Sequence, residues 1–119
     1  MIIKRGGIYL ATLDPVIGRE IAKTRPVIVV SNEKNNQFSG TVTILPITSK
    51  NLTNLYPFEV FFKKGLGNLP KDSKAKANQI RTLDKSRIIK FIGIVEGKEM
   101  DLVKDALLIH LDLFHPSPD

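Results

Sequence analysis

Residues 26–31 read PVIVVS, and the four positions after the proline are all apolar and mostly β-branched. A run of that kind fits a strand buried on both faces, and Pro26 suits its first residue, where a missing N–H costs little. IYLATL (8–13) reads as a strand before it, and TVTILPIT (41–48) as a third, with Pro46 predicting a break or an edge late in that strand. FEVFF (58–62) is a fourth. SKAKANQIRTL (73–83) alternates small and charged residues, which predicts one or two short strands, and RIIKFIGIV (87–95) supplies another. Between them, DPVIGREIAKT (14–24) mixes proline, glycine and charge and predicts a long loop. NEKNNQFSG (32–40) is polar with room for a helical turn, SKNLTNLYP (49–57) reads as loop and KKGLGNLPKD (63–72) as turn. Only KEMDLVKDALLIHL (98–111) changes period: Met100, Val103, Ala106, Leu107 and His110 recur at three- and four-residue steps, one face of a helix. The expected fold is mainly β with a C-terminal helix, and short strands at close spacing point to a small barrel or sandwich.

Composition narrows this picture. The 119 residues, 42% of them hydrophobic, fit one domain with a real core, read here as residues 1–113 with a short tail at 114–119. There is no cysteine, which excludes disulfides, a thiolate nucleophile and cysteine-based metal sites. The start, MIIKRGGIYL, lacks the apolar core of a signal peptide, and no apolar run approaches the ~20 residues that span a membrane, so a cytoplasmic protein is expected. Net charge is +6, unevenly spread. Residues 63–90 hold nine bases against two acids, whereas residues 96–119 hold two against six. A basic strip of this kind suits a polyanion, released counterions favouring phosphate contacts, although it also serves simple solubility.

The candidate chemistry is defined by what is missing. His110 lies on the helix, where a surface or core-edge role is the ordinary one, and His115 lies in the proline-flanked tail; neither has a partner at metal-ligand spacing. GLG at 65–67 lacks the Lys-Ser/Thr of a phosphate loop. What remains are arginines, carboxylates and hydroxyls at strand ends: Glu20 and Arg25 around the first loop, Thr48 and Ser49 after the third strand, and Gln79 and Arg81 in QIRTL, one strand that would turn both to the same face. Singly, each has a plain structural role, such as an Arg25–Glu20 salt bridge.

Taken together and in order, RGGIYLATLDPVIGRE, TRPVIVVSN, ITSK and QIRTLDKSR resemble the MazF/PemK toxins of bacterial toxin–antitoxin pairs over residues 4–113, and ALLIHLDL fits that family's closing helix. The resemblance implies an SH3-like barrel of the CcdB/PemK type, a homodimer, and metal-independent, sequence-specific cleavage of single-stranded RNA, messenger RNA in particular, without a cofactor. It implies a small acidic MazE-like antitoxin that fills the RNA groove. By motif, Arg25 matches the arginine of R-P-V, Thr48 the threonine after the third strand, Glu20 the loop glutamate, and Gln79 and Arg81 the Q-[IV]-[RK] pair of the groove. Arg19, Lys23, Ser49, Lys50 and Tyr56 complete the expected RNA-binding set, with Tyr56 and Phe58 as candidate stacking platforms.

In this reading Arg25 clamps the scissile phosphate with its planar, always charged fork, Thr48 donates to the same oxygens, and Glu20 takes the proton from the 2′-OH. The products are a 2′,3′-cyclic phosphate and a 5′-OH. Two departures stand out. The family often reads RGD where this sequence has Arg5-Gly6-Gly7, and Gly-Ser-Glu-Gln-x-Gly where it has GREIAK, which adds charge and is expected to stiffen the loop. Rival readings are a non-catalytic nucleic-acid-binding barrel and a CcdB-like gyrase poison, whose Trp-Gly-Ile ending has no counterpart in a sequence without tryptophan.

Overall fold

The apolar run after Pro26 is buried on both sides. Val27 and Val29 belong to one apolar cluster, with Tyr9, Ala11, Leu13, Val42, Ile44 and Leu83. Ile28 and Val30 belong to a second, with Ile8, Leu45, Ile47, Phe62, Val103 and Ala106. Side chains alternate across a strand, so the run 27–30, with a core on each side, is apolar throughout. The computed structural model describes residues 1–113; His115 and the expected tail at 114–119 lie outside the described residues.

Among the described residues seven strands and two α-helices follow in order: β1 (Gly7–Thr12), β2 (Thr24–Val29), α1 (Glu33–Phe38), β3 (Thr41–Thr48), β4 (Glu59–Phe62), β5 (Ser73–Lys76), β6 (Arg81–Asp84), β7 (Ile88–Ile94) and α2 (Lys98–His110). All pairings are antiparallel. The strands run β4-β5-β3-β2-β1-β7, with β6 also paired to β3. The sheet wraps its two clusters in the manner of the expected SH3-like barrel, but no ladder joins β4 to β7, so the barrel is open.

β3 holds the sheet together. One edge pairs with β2, through Val27↔Pro46, Ile28↔Leu45 and Val29↔Ile44. The other edge pairs first with β6, at residues 41–44, and then with β5, at Ile47 and Thr48. Pro46 therefore does not break the strand or mark a sheet edge, as its sequence position suggested. It falls where that second edge passes from β6 to β5, a gap with no ladder bond to lose. The stretch 73–83 forms two short strands separated by a turn of 3₁₀ helix at Ala77–Gln79. Gln79 consequently ends a helical turn while Arg81 begins β6, and the two do not share one strand.

α2 buries Val103 and Ala106 in the second cluster, with Met100 and Leu107 packed beside them. His110, the last residue of the expected apolar stripe, is exposed and reaches only the ring of Phe58, 6.0 Å away between centroids. At the C-terminal end of the helix and just beyond it, Ile109, Leu111 and Leu113 are largely open to solvent.

Candidate functional site

The antiparallel register places the candidate residues in a row. Ala11 pairs with Arg25 between β1 and β2, Thr48 with Lys74 between β3 and β5, and Phe61 with Lys74 between β4 and β5. Between β2 and β3 the ladder ends at Val27 and Pro46; Arg25 and Thr48 each lie two residues beyond that pair, on adjacent strands and at positions of the same alternation. Arg25 is half-buried and its Nε donates to the carbonyl of Ala22 at 2.8 Å. This bond fixes the base of the guanidinium and leaves its terminal nitrogens for another acceptor. Thr48 is buried, and its hydroxyl accepts from the N–H of Lys50 at 3.2 Å. A hydroxyl that accepts one bond keeps its hydrogen to donate.

Glu20 does not pair with Arg25. It is exposed, and its Oε1 accepts from the N–H of Ile17 at 2.8 Å, closing the tip of the β1–β2 loop on itself. Side chains from beyond the loop pin it in several places. Gln79 accepts from the N–H of Ile21 at 3.1 Å and donates to the carbonyl of Arg19 at 3.3 Å. Arg81 donates to the carbonyl of Leu13 at 2.7 Å, and Arg87 to the carbonyls of Thr12 and Asp14. A cleft of about 350 Å³ lies between this loop and β6, lined by Ile17, Arg19, Glu20, Pro46, Gln79 and Arg81 among others. The structure thus gathers four of the predicted residues in one cleft. Arg25, Thr48, Ser49, Lys50 and Tyr56 lie outside it; Pro46 connects the two groups, lining the cleft and preceding Thr48 by two positions on the same face.

Ser49 and Lys50 are exposed. Tyr56, 60% exposed, stacks flat on Phe58 with centroids 5.3 Å apart, and Phe58 in turn packs against the core. Lys23 has a left-handed backbone (φ 70°), its N–H held by Asp14 and its carbonyl accepting from Leu13.

Sequence reasoning missed one group. Glu59, inside the apolar run FEVFF, is almost wholly buried, as is Lys74, and their Oε1 and Nζ lie 3.1 Å apart. Lys76 completes the group at 3.4 Å from Oε2. Burial pushes the Glu59 carboxyl up, but the Tyr56 N–H and the ammoniums of Lys74 and Lys76 outweigh it and hold the group below its ordinary value. A signal was available: one acid amid four apolar residues, and lysines two apart in SKAK, which share a strand face. Among the described residues no cluster of three or more His, Asp or Glu side chains has the arrangement to hold a metal ion.

A model of the PemK-like, MazF-like toxins of type II toxin–antitoxin systems matches residues 4–111. The chain belongs to this family. It is 38% identical to endoribonuclease MazF9 of Mycobacterium tuberculosis over 117 residues, covering 94% of this chain and 98% of that protein. It is also 38% identical to endoribonuclease EndoA of Bacillus subtilis over 113 residues, covering 95% and 97%. Among solved structures, MazF from Deinococcus radiodurans superposes with a TM-score of 0.81 at 26% identity, over 94% of this chain and 98% of that one. An endoribonuclease from a mycobacterial species, solved with its cognate antitoxin, shares the fold with a TM-score of 0.79 at 24% identity, over 96% and 99%.

Against the family pattern, the two departures acquire physical meanings. Lys23 occupies the position where the loop pattern carries its second glycine, and it keeps the left-handed backbone that glycine adopts without strain. At Gly7, where the family often has Asp, a Cβ would stand 2.5 Å from the ring of Tyr9. That ring is buried, and its hydroxyl accepts from the N–H of Lys4 at 2.9 Å, so Tyr9 fills the space a side chain at position 7 would need.

Proposed function

We infer that this toxin is an endoribonuclease that cleaves single-stranded RNA, mRNA above all, at short sequences. The RNA supplies its own nucleophile, the 2′-OH that DNA lacks, and the ends left are a 2′,3′-cyclic phosphate and a 5′-OH. The observation that supports this reading is the buried β2–β3 ladder, which ends at Val27 and Pro46 two residues short of both Arg25 and Thr48 and so brings the two to neighbouring strand ends. A clamp for a phosphate that gains charge must already be in place when the charge develops. Arg25 offers free guanidinium nitrogens and Thr48 a free hydroxyl hydrogen, both toward one face. The two relatives named as endoribonucleases, each aligned over nearly all of this chain, add weight.

Glu20 is the proton acceptor in this scheme, since a guanidinium is too weak an acid to serve as a base. Arg19, Lys23, Gln79 and Arg81 line the path of the RNA around the β1–β2 loop. Ser49, Lys50 and Tyr56 extend it past Thr48, where the exposed Tyr56 ring, braced by Phe58, offers a base a flat surface. No metal or cofactor takes part. The domain comprises residues 1–113 and works in the cytoplasm as a homodimer, for which the exposed Ile89, Phe91 and Ile94 of β7 and the end of α2 provide apolar surface. A small acidic antitoxin would neutralise it by covering the basic groove, as the net charge of +6 favours. Helices among the described residues are too short and polar to cross a membrane.

The test is incubation of a long mixed-sequence RNA with the purified toxin in excess EDTA, with 5′ ends mapped, beside Arg25→Ala. Discrete 5′-OH ends formed only by the unsubstituted protein are the expected result. Equal RNA binding by both proteins without cleavage would replace this reading with that of a binding barrel.

A further inference from the structure

We propose that Lys74 and Glu59 are positioning residues for cleavage: a buried ion pair that tethers the β3–β4 loop and so holds Thr48, Ser49 and Lys50 in place. The proposal rests on the endoribonuclease reading and adds to it two residues that no motif marks.

Three observations carry it. First, the pair touches the loop at both ends. Lys74 Nζ donates to the carbonyl of Asn51 at 2.8 Å, three residues after Thr48. Glu59 Oε1 accepts from the N–H of Tyr56 at 3.1 Å, at the loop's far side. Second, most of the loop is open to solvent: Ser49, Lys50, Asn51, Leu55 and Tyr56 are all exposed, and beside the pair the loop is held by the Lys50 N–H on Thr48 and the Tyr56 ring on Phe58. Third, Lys74 is the direct strand partner of Thr48, so its Nζ is anchored one lattice position from the hydroxyl assigned to the phosphate. Lys74 and Glu59 retain only 4% and 1% of their side-chain exposure. Buried charges are costly unless paired and hydrogen-bonded, and a well-packed apolar pair on this face would serve stability as well. The pair earns its place through the two backbone groups that it fixes. Asn51, left-handed at φ 55°, turns its carbonyl to the ammonium.

The experiment compares Glu59→Gln, Lys74→Met and the double variant by steady-state RNA cleavage, thermal denaturation and amide hydrogen exchange over residues 49–57. Lys74→Met leaves the buried Glu59 carboxylate with Lys76 as its remaining cation and lowers Tm. The double variant removes both charges while Gln keeps an acceptor for Tyr56, and its Tm returns towards the original. Under the proposal its kcat nonetheless stays about tenfold to a hundredfold down, since a displacement of about 1 Å is worth that much, with KM nearly unchanged and exchange of the Asn51 end of the loop still fast. Recovery of kcat together with Tm would overturn the proposal and make the pair purely structural. So would a Lys74→Met protein with full kcat. If the methionine variants do not fold, Lys74→Gln decides, being too short to reach the Asn51 carbonyl yet able to donate to Glu59: it must lower kcat and speed loop exchange, and unchanged values for both would overturn the tether. If the unsubstituted protein cuts no RNA, the cleavage reading fails on its own, and the exchange measurement still tests the tether, which falls if Lys74→Met leaves loop exchange unaltered.

Discussion

The two regions that the proposed function assigns to RNA are built in opposite ways. Arg25 and Thr48 stand on β2 and β3, whose central residues Val27, Ile28, Val29, Ile44 and Leu45 are fully buried. Glu20 and Arg19 stand on the β1–β2 loop, where Ile17 is 83% exposed and the backbone is held by side chains reaching across from Gln79, Arg81 and Arg87. The first region is held by packing, which does not yield to small forces. The second is held by a few hydrogen bonds, each of modest net strength. That division suits the two tasks: charge that develops on a phosphate needs fixed donors, whereas recognition of a base and transfer of a proton tolerate a loop that adjusts.

The contrast breaks most visibly at Arg25. Arg25→Ala is expected to lower kcat by at least about 10²–10³, the range for loss of one preorganised donor, with Tm nearly unchanged because the strand packs through its neighbours; an equal fall in Tm would show that the arginine serves the fold. Gln79→Ala tests the other side. It removes both bonds to the loop, so cleavage should drop by roughly tenfold and the distribution of cut sites should broaden on sequencing, while a variant that keeps both rate and cut sites would mean that the loop needs no pin.

The pH dependence of stability sharpens the distinction further. Glu59 is held below its ordinary value when folded, so below about pH 4.3 the unfolded chain binds the extra proton first. Its contribution is present above that pH and is lost as pH falls through the lower folded value. Tm measured from pH 7 to pH 3 should therefore fall less steeply for Glu59→Gln than for the unsubstituted protein; parallel curves would show that the carboxylate titrates alike in both states. The smallest effect is at Lys23, whose left-handed backbone costs about 1 kcal/mol relative to glycine, partly offset by glycine's greater freedom when unfolded. Lys23→Gly should raise Tm by a few degrees at most, and a lower Tm would place the stiffness of the GREIAK loop elsewhere.

Some of this was legible residue by residue. The run VIVV announced a strand with a core on each side, and three- and four-residue spacing marked α2, because both patterns are local consequences of backbone geometry. Arg25, Thr48, Glu20, Gln79 and Arg81 could be picked out by motif, but their partners could not. Gln79 reads as a groove residue in QIRTL, yet its amide is spent on Ile21 and Arg19, nearly sixty positions earlier. Nothing local marks the partner of Glu59, the one acid in an apolar run, and only the arrival of β5 beside β4 makes it a buried counter-ion.

By itself, then, the sequence determined which segments are strands, which faces they bury, and that one arginine would stand at the mouth of the most rigid of them. Tertiary structure decided the rest: that β3 changes partners around Pro46, that Arg25 and Thr48 lie at neighbouring strand ends just beyond the Val27–Pro46 pair, and that Lys74 and Glu59 meet beneath the loop between them. The reason is physical. The two-residue period of a strand follows from bonds within it, whereas register between strands tens of residues apart is chosen by how their side chains pack together.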